Sequence, residues 1–282
     1  ASLDSSLETF APEKDLKLAI LGSASSLQKD HSSFVQYEEV ASDFNDFKAL
    51  RFKSAVPPKA INPAQFRKMD DLSKLVAVTT AKALETSQIN MKKIDTSKVG
   101  IVFTTPSGPV DVVEGIEKQI TTEGYAHVSA SRFPYTVMNA AAGMLSIMFK
   151  IKGPLSVIST NAGAIDGIQY SKEMMKNDGL DYVLLVSAHQ WTDMSLMWWE
   201  QLGYNSTDYV GADYCSVQVL SRHKTGDNPI LLGSKQLKYS NKTLHEISSI
   251  FDRSFKELIS NLHLSPKDIK GIVWNERKKI DS

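Results

Sequence analysis

Apolar positions along this chain form short dense runs and longer stretches at helical spacing, and the two kinds alternate. "KLAILG" (Lys17 to Gly22) is an apolar run closed by glycine, and the serine-rich "SASSLQKDHSS" after it predicts a loop. A polar region with helices is expected next. Within it "PAQFRKMDDLSKLVAVTTAKALETS" sets Leu72, Leu75, Val76 and Ala83 on one helical face, with Thr79 between them, as in a cover helix. "KVGIVFTT" (Lys98 to Thr105) predicts a strand, and "PSGPVDVVEGIEKQITTEG" places Val110, Val113, Ile116 and Ile120 on one face of a following helix. "NAAAGMLSIMFKIKG", from Asn139, is small and apolar all round and predicts a helix buried on every side. "LSVIST" then predicts an interior strand, "GAIDGIQYSKEMMKNDG" a helix stopped by Gly179, and "DYVLLVSAH" a second interior strand.

The last third changes style. "CSVQVLSRH" sets Val217 and Val219 against Gln218 and Ser221, and "PILLGSKQLKYSN" follows the turn residues "KTGDN", which predicts antiparallel strands with one polar face. A long helix, "LHEISSIFDRSFKELISNLHL", leads to "SPKDIKGIVWN" and a further strand. With no fixed-period repeat and no interior low-complexity linker, residues 1–282 are expected to form a single α/β domain whose largely parallel sheet is covered on both faces.

Composition narrows the function classes. Lys+Arg and Asp+Glu balance at 32 each, with no long run of like charge, which argues against a nucleic-acid surface. The single cysteine, Cys215, permits no internal disulfide, and the scattered six histidines offer no metal-ligand spacing. The first residues are acidic where a secretory leader would be basic, and no apolar run approaches the roughly 20 residues of a membrane helix, so a cytoplasmic protein is expected. Asn205-Ser206-Thr207 and Asn241-Lys242-Thr243 are then chance matches to the glycosylation pattern.

The stretch "GPLSVISTNAGAIDGIQYS" (Gly153 to Ser171) reads as a buried strand delivered into a helix start, a common mount for a nucleophile. The order of segments around it resembles the β-ketoacyl synthases of the thiolase-like fold. That family carries F-P-x-x-x-x-N-x-x-A-G-x-x-S-I-x-x-x-x-x-G-P just before its catalytic cysteine turn. Phe133, Pro134, Asn139, Ala142, Gly143, Ser146, Ile147, Gly153 and Pro154 all match it. The resemblance runs from about Val99 to Asn275. It implies a layered αβαβα fold, with residues 99–222 as the better-matched half and 223–282 as the start of an abbreviated second half.

Family members hold an acyl chain on a cysteine and condense it with a decarboxylated malonyl thioester, chemistry that needs a thiolate and histidines around the developing oxyanion. Here the cysteine position falls on Ala162, with Asn161 the other candidate, and neither is a nucleophile. The first family histidine falls on Asn275, followed by Glu276 and Arg277 in place of Gly-Thr, and the second histidine and the lysine would lie beyond Ser282. This pattern resembles the chain-length factor, the inactive partner of a type II polyketide ketosynthase, although the glutamine that many such proteins carry at the cysteine position is absent.

The resemblance implies an active ketosynthase and an acyl carrier protein as partners. It implies no cofactor and no metal, the acyl groups arriving on the carrier's phosphopantetheine arm. It further implies a dimer seam along Leu155, Ser156, Val157, Ile158, Ser159 and Thr160, and an acyl channel ended by Val110, Val113, Arg132, Phe133 and Met138. The same five side chains also suit an ordinary core. Other chemistry stays open. Cys215 or a serine could serve a free-standing acyl-thioester enzyme if His189 or His223 approached the thiol. Asp213, Asp181 and Asp166 could pair as acid and base. A non-catalytic acyl-binding scaffold is a further alternative. "HQWTDMSLMWWEQLGY" (His189 to Tyr204), with three of the four tryptophans, suits partner contact or packing.

Overall fold

The structure is a computed structural model that describes residues 18–27, 34–41, 48–57, 59, 61–160, 163–201, 211–223, 229–231, 244–261, 265 and 267; for residues 199, 200, 244–248, 250, 251 and 261 it describes the backbone alone. The strands are β1 (Leu18–Ser25), β2 (Val35–Ala41), β3 (Lys48–Ala55), β4 (Val99–Thr105), β5 (Leu155–Ser159), β6 (Tyr182–His189), β7 (Gly211–Ala212), β8 (Tyr214–Ser221) and β9 (Ile230–Leu231). The helices are α1 (Pro63–Phe66), α2 (Asp71–Ser87), α3 (Val110–Glu123), α4 (Ala140–Phe149), α5 (Ala164–Asn177), α6 (Asp193–Gln201) and α7 (Leu244–Asn261).

Dense apolar runs make the centre. Every residue of β4 is buried, and β4 pairs in parallel with β6 on one side and β5 on the other. The six-stranded sheet has the order β5-β4-β6-β8-β1-β9. Side chains alternate across it, as the two-residue strand period requires. Ile101, Phe103, Leu184, Val186, Val217 and Val219 pack with residues of α2 and α4, whereas Val102, Val183, Leu185 and Leu220 pack with Met174 and Met175 of α5. Truncating one of these large side chains to alanine costs about 2–5 kcal/mol. β1 approaches α2 so closely that a Cβ on Gly22 would lie 2.4 Å from the Ser87 amide nitrogen, so only glycine fits there.

Several expectations are corrected. The strand at Lys17–Gly22 continues through Ser25, and the expected helical region contains instead an antiparallel pair, β2 and β3, in a second sheet ordered β2-β3-β7. The single helix expected from Pro63 is two. Asn62 caps α1 through Ala64 N–H at 2.9 Å, and Asp70 caps α2 through Ser73 N–H at 3.2 Å, so a second cap interrupts the helical period. α2 is an interior helix: Val76, Ala77, Val78, Thr79 and Thr80 are all fully buried. α4, by contrast, is not buried on every side, since Ile147 is 64% exposed and a Cβ on Gly143 would meet nothing within 4 Å.

Among the described residues "LSVIST" is an edge strand with mostly half-buried side chains, not an interior one. β8 and β9 do not pair with each other, because β1 lies between them, antiparallel to both. The buried face of α3 is Val112 and Ile116, so Val113 is not part of it. The turn 224–228, the final strand around "IKGIVW" and most of the expected second half lie outside the described residues.

Candidate functional site

In a parallel sheet the carboxyl ends of the strands, where the helices begin, are the usual place for a site. Here β4 ends in Thr104 and Thr105, both fully buried, and the Gly108 N–H donates to Thr105 Oγ1 at 3.0 Å as the chain turns into α3. β5 ends beside it, with Thr160 N–H donating to the Thr105 carbonyl at 3.0 Å. The Thr160 hydroxyl donates to the carboxylate of Asp166, in the first turn of α5, where a negative charge favours the helix dipole. Asn161 and Ala162 lie outside the described residues. Gly163, at φ 59°, opens α5 with its Cβ position 3.4 Å from Ser187 Oγ, so the start of α5 sits over the end of β6.

β6 contributes Ser187 and His189, both buried. His189 Nδ1 lies 3.2 Å from Ser107 Oγ, with the Trp191 ring edge-on at 5.2 Å and the Tyr214 ring at 6.2 Å. Burial pushes the imidazole down to about 4. A ring so depressed is neutral and only weakly basic near pH 7, which suits a packed ring rather than a general base. Cys215 is fully buried among the side chains on the α2 side of the sheet, and burial pushes its thiol up to about 12. Its strand partner is Ala188, so strand alternation turns His189 to the opposite face. His223 lies past the far end of β8, 3.5 Å from Asp181. Among the described residues the buried thiol has neither access nor a base beside it, which argues against the route through Cys215.

The three candidate aspartates do not meet. Asp166 is held by Thr160 at the carboxyl ends of the parallel strands, and Asp181 precedes β6 at the other end of the sheet. Asp213 is a buried junction. Its carboxylate accepts Phe52 N–H at 2.8 Å, Trp191 N–H at 2.7 Å and Arg51 Nε–H at 3.4 Å. Burial raises its pKa, while these three donors favour the ionised form. Arg51 reaches on to Asp111 at 2.9 Å in the first turn of α3, and the Thr192 hydroxyl donates to Glu114 one turn later. Thr192 and Ser195 cap each other reciprocally at the start of α6. This network escaped the sequence reading. Its local trace is the pair of acids three residues apart in α3; their partners lie far away in the chain.

The residues expected to line a channel do gather. A Cβ on Gly108 would lie 2.3 Å from Met138 Sδ, and one on Gly115 would lie 2.9 Å from the Arg132 guanidinium, so the 132–138 segment packs against α3. Val110 is half-buried and Arg132 exposed. Phe133 is 64%, Val137 51%, Val113 37% and Met138 37% exposed. α4, which carries the exposed Ile147, lies against both the 133–135 segment and edge strand β5. Of the aromatic stretch, Trp191 packs against Gly211 and Trp198 is exposed. Asn275 lies outside the described residues. Among the described residues no group of three or more His, Cys, Asp or Glu side chains is placed to hold a metal ion, and no helix is long and apolar enough to cross a membrane.

Comparison with known proteins gives a consistent result. Residues 35–190 match the family described as "Beta-ketoacyl synthase, N-terminal domain". The chain is 22% identical over 156 residues to 3-oxoacyl-(acyl-carrier-protein) synthase 2 of Coxiella burnetii, covering 55% of this chain and 35% of that one. It is 31% identical over 94 residues to the synthase of the same name from Vibrio harveyi, covering 33% and 23%. It therefore spans about a third or less of the relatives' length.

Among solved structures, a β-ketoacyl synthase from Burkholderia phymatum superposes with TM-score 0.59 at 13% identity, covering 74% of this chain and 60% of that one. A type II polyketide ketosynthase in complex with its acyl-carrier protein gives TM-score 0.57 at 18% identity, covering 73% and 62%. The ishigamide ketosynthase/chain length factor gives 0.54 at 17%, covering 76% and 64%. The likeness establishes a mixed α/β, thiolase-like fold.

Proposed function

The chain belongs to the β-ketoacyl synthase family, and on that premise we propose that it is a non-catalytic member, a chain-length factor. In this role it pairs with an active ketosynthase and shapes the acyl channel while a carrier protein presents the growing chain. The observation that carries the proposal is the open side of the sheet. Among the described residues β5 has one paired edge, against β4, and the neighbouring α4 carries Ile147, 64% exposed, and lies against the 133–135 segment, where Phe133 is 64% exposed. An unpaired strand edge beside an apolar face is a template for another chain, and it invites aggregation when nothing covers it.

The chemistry points the same way. The family's thioester cycle requires a thiolate, and the chain's one cysteine is a buried thiol on the far face of the sheet. By the family resemblance the nucleophile position falls on Ala162 or Asn161 and the histidine position on Asn275, side chains with no nucleophilic or general-base capacity. What remains is a scaffold that can contribute a wall. Leu155 to Thr160 would then pair with the active subunit, and Val110, Val113, Arg132, Phe133 and Met138 would end the tunnel at that seam. Each methylene buried there is worth about 0.8 kcal/mol, and a side chain in its path costs at least as much, so small changes of wall bulk select a chain length. No step in this role uses a cofactor or metal bound by this chain.

The test is co-expression with a cysteine-bearing ketosynthase, native mass spectrometry, and condensation of malonyl units on carrier protein with and without this chain. A complex that makes a defined-length product only with this chain present supports the role. A monomeric, stable chain that leaves the product spectrum unaltered rejects it.

A further inference from the structure

α3 carries two of the channel residues, and the rotation of that helix decides what they face. Two sets of contacts hold it. Val112 and Ile116 are buried on one face. Asp111 and Glu114, three residues apart and so on a common face, are held by Arg51 and by Thr192. Arg51 can grip α3 because it is itself fixed: its Nε–H points at Asp213, a buried carboxylate that also accepts the amides of Phe52 and Trp191. The guanidinium thus spans two carboxylates, one in the core and one on the helix, a fork that a lysine ammonium does not reproduce. Val113 lies off both held faces and is 37% exposed.

We infer that Arg51 is a positioning residue which, through Asp111, sets the rotation of α3 and thereby which side chains the helix presents beside the 132–138 segment. The inference rests on the function proposed above for its consequence, the length at which the acyl chain stops, but the clamp itself is a property of this chain. A side chain 60 residues upstream of the helix then governs product length without touching the acyl chain.

The experiment uses the full chain with Asp111→Ala, which releases α3 while leaving Arg51 on Asp213. Glu117→Ala, an exposed carboxylate on the same helix, is the control, Asp111→Glu the conservative rescue, and Arg51→Lys a second route to the same release. Two readouts are taken. Amide exchange across Val113 to Glu117 is expected to speed up about fivefold in Asp111→Ala, the effect of losing one charge-assisted hydrogen bond on partly exposed groups. Glu117→Ala stays at the unaltered rate and Asp111→Glu recovers most of it. In the reconstituted complex the same variants are expected to spread the product over neighbouring lengths at similar total turnover. Unchanged exchange in both Asp111→Ala and Arg51→Lys overturns the clamp. Faster exchange with an unchanged product distribution overturns the positioning role. If the unaltered chain itself fails to change product length relative to ketosynthase alone, the proposed function fails, a result visible in that control and separate from the exchange result.

Discussion

Replacing Asp213 by alanine tests the buried junction that ties the two sheets and α3 together. The side chain accepts two backbone amides, Phe52 at 2.8 Å and Trp191 at 2.7 Å, and lies 3.4 Å from Arg51 Nε, with almost no surface exposed. Alanine leaves the buried Phe52 amide without its acceptor, at about 1–3 kcal/mol, and the less deeply placed Trp191 amide at the low end of that range. Arg51 keeps Asp111, so only part of the penalty for an unpaired buried charge is incurred, and the sum is about 3–5 kcal/mol. For a chain of this size each kcal/mol lowers the melting temperature by roughly 2–4 °C, so a fall of about 6–20 °C is expected. The assay is urea and thermal unfolding followed by circular dichroism, beside Asp111→Ala, which removes only the partly exposed end of the network and is expected to cost about 1 kcal/mol or less. A loss below about 1 kcal/mol for Asp213→Ala, the scale of an ordinary surface change, would refute the view of Asp213 as a structural junction.

Three further outcomes follow from the same geometry. His189 has its folded pKa lowered from 6.5 to about 4, so the unfolded chain binds its proton first. The stability this neutral ring provides is complete above pH 6.5 and is lost as pH falls toward about 4, by roughly 3 kcal/mol, and His189→Gln should flatten that slope in urea titrations. Ile147→Glu, at a side chain 64% exposed, should change the stability of the chain alone by less than about 0.5 kcal/mol, yet weaken the complex with a ketosynthase in native mass spectrometry; an equally tight complex would exclude this face as the seam. In the condensation assay Val113→Phe should shorten the product, while Val113→Ala lengthens it or leaves it as it was; an unchanged spectrum for both removes Val113 from the wall.

The central strands and the helices that cross between them are specified by local patterns in the chain. β4 is a dense β-branched run and β6 a dense apolar one, and the end of α5 is marked by Gly179 at φ 62°, signals that lie within a few residues of what they specify. The family motif from Phe133 to Pro154 was also legible, and with it the fold class. The β2–β3 pair was not. β2 has polar side chains on both faces and no apolar alternation, and its register joins residues up to 20 apart, with cross-strand pairs such as Lys48 with Glu39 at 2.9 Å and Lys53 with Glu38 at 3.0 Å.

Long-range contacts settle which described strand sits at an edge, which strand separates β8 from β9, and which side of α4 stays open. "LSVIST" and "DYVLLVSAH" both look like interior strands by composition, yet one is bounded on two sides and the other on one. Strand order is fixed by hydrogen bonds between segments far apart in the chain, and a local apolar run records that a strand is buried without recording by what. The Arg51 junction is the same case. Its contacts lie 60 and 162 residues away, so each partner alone is an ordinary charged residue, and the clamp exists only once the fold has brought Asp111 and Asp213 to one guanidinium.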